Sequence, residues 1–126
     1  MSKLFLSYER PDLSPLEQVR KRAAMEHSLD MLGAKWERVE GVFEGQSENS
    51  YMVTATYKLR ELKALAKAHN QDSVLFVTAY KGATIMPICK DVDDGDQFLG
   101  YMEATKDKPT GDYTFNYATK EYYVIK

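Results

Sequence analysis

An α+β domain with a ferredoxin-like plan is what the amino-acid sequence predicts, on three observations. From Leu4 to Tyr80 the hydrophobic periods run strand, helix, strand, strand, helix, strand. The two middle strands meet at a polar turn, Glu44 to Ser47, and Val74 to Val77 is the unbroken apolar run of a central strand. Two split βαβ halves folding onto one antiparallel sheet put both helices on one face, and later strands extend that sheet.

The first strand rests on Leu4, Leu6 and Tyr8 alternating with Phe5, Ser7 and Glu9, and Pro11 stops it. Ser14-Pro15-Leu16-Glu17 opens a helix with a cap, a proline at the first turn and a capping box. That helix is expected to reach Leu32, with Gly33 as its left-handed exit. Its apolar residues make no single stripe: Leu16, Val19, Ala23 and His27 oppose Met25, Leu29 and Leu32. The second half is therefore covered on two sides or meets a partner, while Arg20, Lys21 and Arg22 read as a solvated face.

Trp36 to Phe43 reads as a half-exposed strand with a bulge or close approach at Gly41, and Glu48 to Ala55 as its hairpin partner. The second helix spans Tyr57 to Asn70, the clearest amphipathic segment, and leads into a strand over Ser73 to Tyr80. Pro87 marks Thr84 to Cys89 as an edge strand. Phe98 to Ala104 is another strand, and Tyr113 to Ile125 supplies one long or two short ones.

With 126 residues, 44% of them hydrophobic and 29% charged, one folded domain over 1–126 is expected. A formal net charge of −2 argues against phosphate-backbone binding, so nucleic acid is an improbable partner. The single Cys89 allows no internal disulfide and suits a reducing cytoplasm. The first ten residues carry no signal-like apolar core, and no run of about 18 apolar residues suggests a membrane span.

The segments Trp36 to Gly45, Glu48 to Val53 and Leu62 to Leu75 resemble a family of small phage and bacterial domains labelled only as of unknown function. The family pattern falls here on Gly41, Glu48, Ser50 and Gln71, with Asn70 where the family often has glycine. The resemblance covers the middle third and implies fold kinship, a phage or bacterial source and, for a phage protein, action in the host cytoplasm. It implies no activity.

Glu48, Ser50, Gln71 and Asp72 are the candidate ligand-binding residues, since two carboxylates, a hydroxyl and an amide suit a polar ligand or divalent ion. Their simpler account is structural, as groups that pin a hairpin turn and a helix end. Asp91, Asp93, Asp94 and Asp96 lack EF-hand spacing, because the sixth and twelfth positions from Asp91 are Asp96 and Met102. His27 and His69 make no zinc pattern, Cys89 defaults to a buried hydrophobe, and Gly41, Gly45 and Gly82 form no phosphate loop. Tyr101, Tyr113, Tyr117, Tyr122 and Tyr123 are candidates for a partner surface, and a strand-forming preference explains them equally.

No catalytic set stands out, so the sequence favours a non-enzymatic interaction protein, phage-encoded, binding a host protein or a second copy of itself, with no cofactor or metal. The alternatives are a small-ligand or nucleotide-binding domain and a weak metal-dependent hydrolase or nuclease.

Overall fold

A computed structural model describes residues 2–7, 14–54, 59–69, 73–78, 80–87 and 97–126. Its elements are β1 (Lys3–Ser7), α1 (Pro15–Met31), β2 (Trp36–Phe43), β3 (Gln46–Thr54), α2 (Leu59–Ala68), β4 (Ser73–Val77), β5 (Gly82–Pro87), β6 (Gln97–Thr105), β7 (Tyr113–Asn116) and β8 (Glu121–Ile125). All eight strands pair antiparallel into a closed barrel ordered β1-β3-β2-β7-β8-β6-β5-β4, with β4 back against β1.

The expected open ferredoxin-like sheet is therefore overturned. Within the barrel, β4-β1-β3-β2 is the order of a split βαβ pair, but β2 and β4 are not edges. The C-terminal strands pair with both, β7 on β2 and β5 on β4, and closure removes the exposed backbone groups that an open sheet leaves. Pro87 is accordingly the last residue of an interior strand, where the missing amide hydrogen matters least.

Period-two alternation then divides the core in two. Leu4, Leu6, Tyr51, Val53, Val74 and Met86 face outward beneath Met25 and Leu29 of α1 and Leu62 and Ala66 of α2. Phe5, Val39, Met52, Val77, Ala83 and Met102 fill the interior. Of the two faces read on α1, only that of Met25 and Leu29 is buried, and Leu16, Val19 and His27 are exposed.

The Ser14 cap forms as expected, its Oγ accepting the Glu17 N–H at 3.2 Å and donating to Glu17 Oε1 at 2.9 Å. The β2–β3 connection is tighter than expected. Glu44 and Gly45 both have positive φ, 51° and 81°, which makes a two-residue turn of the type whose twist matches a hairpin. Gly41 makes no bulge, pairing in register with Glu48 and Thr114; the irregularity lies at Ala83/Thr84.

A polar cluster ties α1 to the barrel. Tyr51 is fully buried, its hydroxyl donates to Glu26 Oε2 at 2.6 Å, and Trp36 packs edge-on against it. Arg38 donates to both Glu26 oxygens, at 2.9 to 3.1 Å. Burial pushes the Glu26 carboxyl up, but hydrogen bonds from Arg38 and Tyr51 and the charges of Arg38 and Arg22 outweigh it, so its pKa falls below the ordinary 4.5. A carboxyl depressed in the fold stabilises above its unfolded value, and that contribution disappears as pH falls through the folded value. Glu26→Gln is expected to flatten the fall in melting temperature below pH 4.5. At neutral pH, Tyr51→Phe is expected to cost about 2 kcal/mol in urea unfolding, the range for a lost bond to a charged acceptor.

Candidate functional site in the barrel mouth

Antiparallel pairing brings one end of each strand to a common mouth. Ser7 ends β1 opposite Ser50 of β3, Glu48 lies two residues further along the same inner face, and Gly41 of β2 stands across from Glu48. A cavity of about 590 Å³ opens there. This is within the usual size of a small-molecule site.

Its wall changes character with depth. Phe5, Leu75, Ile85 and Met102 make an apolar interior and exposed Ile125 its edge, while Ser7, Gln46, Ser47, Glu48, Ser50 and Asp112 carry the polar groups. Thr114 and Tyr123 face inward from β7 and β8, which pair at those two residues. Gly41 has only ordinary van der Waals room for a Cβ, 3.7 Å from the Glu48 carbonyl oxygen. Its bare Cα therefore leaves space beside Glu48.

Two contacts fix the charged groups. Ser7 Oγ donates a hydrogen bond to Glu48 Oε1, joining the ends of β1 and β3. Asp112, just before β7, accepts the Glu44 backbone N–H at 2.9 Å and thereby holds the β2–β3 turn. Tyr123 is set from beneath by fully buried Asn116, whose Nδ2 donates to the Tyr123 hydroxyl at 3.4 Å. Asn116 Oδ1 accepts the Ala118 and Thr119 N–H groups of the next turn.

The structure brings Glu48 and Ser50 together in this cavity, whereas Gln71 and Asp72 lie outside the described residues. The five tyrosines do not share one surface. Tyr123 faces the cavity; Tyr113, on the rim, and Tyr117 and Tyr122 join Phe115 in an outer aromatic array; Tyr101 packs edge-on against Phe98 of β6. Ser7 and Asp112 were missed, since Ser7 read as an alternating strand residue and Asp112 lies just outside the strand expected from Tyr113. Only strand pairing reveals them.

Cys89 and the acidic loop Asp91 to Asp96 also lie outside the described residues. Among the described residues no group of three or more His, Cys, Asp or Glu is placed to hold a metal ion. His69 is half-buried, its carbonyl accepts Lys21 Nζ at 2.9 Å, and burial together with the Lys21 charge lowers its pKa. Among the described residues no helix is long and apolar enough to cross a membrane.

A family model described as the S-adenosylmethionine lyase family matches residues 4–126. The chain belongs to the S-adenosylmethionine lyase family. The match spans nearly the whole chain rather than its middle third, and the family's description names an activity, not an unknown function. An enzyme family overturns the non-enzymatic interaction protein, and the two alternative readings fit no better. That description gives the expected phage origin no support. No curated protein matches the chain.

Proposed function

We propose that this member of the lyase family cleaves S-adenosylmethionine in the barrel-mouth cavity. The observation that carries the reading is the family match over residues 4–126 together with a cavity that presents Glu48 above an apolar interior.

The substrate's chemistry suits such a site. Its sulfonium sulfur departs as a neutral thioether, so the leaving group needs no proton. The substrate's own carboxylate reaches the γ-carbon through a five-membered ring. As the carbon–oxygen bond forms, the carbon–sulfur bond breaks and its electron pair goes to sulfur, giving homoserine lactone and 5′-methylthioadenosine without water.

The protein's task is then orientation, which can supply several kcal/mol of a barrier when the reacting atoms are held in near-attack geometry. Glu48 is placed to bind the substrate's ammonium, a charge that survives the reaction, and so to fold the methionine chain over its own carboxylate. Ser7 keeps the Glu48 carboxylate aimed, and the interior beside Phe5 and Tyr123 takes the nucleoside. Elimination by Glu48 as base is the poorer chemistry, because an ordinary carboxylate is a weak base for a carbon-bound proton.

Reaction in ¹⁸O-labelled water tests the intramolecular route. The homoserine hydroxyl recovered after lactone opening should be unlabelled; a labelled hydroxyl means direct hydrolysis, and an unsaturated amino acid product means elimination.

A further inference from the structure

The cavity holds a second carboxylate whose place the cleavage chemistry does not require. Asp112 and Glu48 are both on its wall, and none of the described residues lining it is Lys, Arg or His. The two acids come from distant parts of the chain, Glu48 from β3 and Asp112 from the end of the β6–β7 connection. The backbone bond from Glu44 fixes where the Asp112 charge sits.

From this we infer that the cavity selects its ligand by the positive charge of the sulfonium, with Asp112 as a specificity-determining residue beside Glu48. The inference rests on the lyase reading above and deepens it. The substrate carries two positive centres, ammonium and sulfonium, and one carboxylate. A site needing only to grip the amino-acid end has use for one anion, and the second matches the second cation.

When the carbon–sulfur bond breaks, the sulfur becomes neutral and the match to Asp112 is lost. The thioether product is therefore held less tightly than the substrate. Both carboxylates are exposed at the mouth, so water screens them and the discrimination is moderate, about tenfold at low salt.

Calorimetric titration of the full chain with two uncleavable analogues tests this. One is S-adenosylhomocysteine, with a neutral sulfur. The other replaces the sulfonium with a carbon bearing a protonated amine, so the positive charge is kept. The charged analogue should bind about tenfold more tightly in low salt, and Asp112→Asn should shrink the gap to less than threefold. Melting curves establish that the variant is folded, and Asp112→Glu, which keeps the charge, should restore at least part of the gap. Equal affinities in the wild type, or a gap unchanged in folded Asp112→Asn, overturn the inference while leaving the lyase reading standing. Binding of neither analogue overturns both.

Discussion

Glu48→Gln is expected to lower the rate of S-adenosylmethionine cleavage by about two orders of magnitude while leaving the melting temperature within a few degrees of the wild type. The size follows from its assigned role: a group that orients the substrate through a charge-assisted bond contributes on that scale, and an amide keeps the shape without the charge. Stability should barely change, because Glu48 is exposed at the mouth and no apolar contact is removed. Ser7→Ala should fall between the two, since it leaves the carboxylate in place but unaimed on one side. Full activity in Glu48→Gln would remove Glu48 from the mechanism.

Gly100→Ala is expected to be the most damaging small substitution for the fold. Gly100 has φ +136°, and a Cβ there would lie 2.4 Å from the Lys126 carbonyl oxygen and 2.9 Å from its carbon. Those are backbone atoms that cannot swing aside. Beside them run two hydrogen bonds, Tyr101 N–H to the Lys126 oxygen and Lys126 N–H to the Tyr101 oxygen, both 2.8 Å. Moving the C-terminal strand away from the methyl group breaks both, at a cost of about 3 kcal/mol or more when backbone strain is included. Gly111→Ala is the control, with nothing within 4 Å of the added Cβ. Equal melting temperatures for the two variants would show that β6 and the C-terminus do not close the barrel as described.

Local features were legible in the sequence where local physics decides them. The Ser14 cap and Pro15 start α1, the 3.6-residue period of Leu62, Leu65 and Ala66 marks α2, and alternation marks β1 and β3. Barrel closure was not legible, because it depends on β7 finding β2 across a long separation, and period two says only that a strand has two faces. An interior face and a helix-covered face carry the same alternation, which is why the tyrosines of β7 and β8 looked like one surface. Glu48 and Ser50 stood out as polar residues on one side of a strand. Their neighbours Ser7 and Asp112 are separated from Glu48 by 41 and 64 positions, and only the register joins them.

The central claim is that this cavity cleaves S-adenosylmethionine, and the direct measurement is chromatography of the purified chain incubated with that compound, beside Glu48→Gln. The account predicts loss of S-adenosylmethionine with matching growth of 5′-methylthioadenosine in the wild type, at a rate proportional to protein and about a hundredfold slower in the variant. Substrate disappearing no faster than in buffer, or equally fast with both proteins, would contradict it.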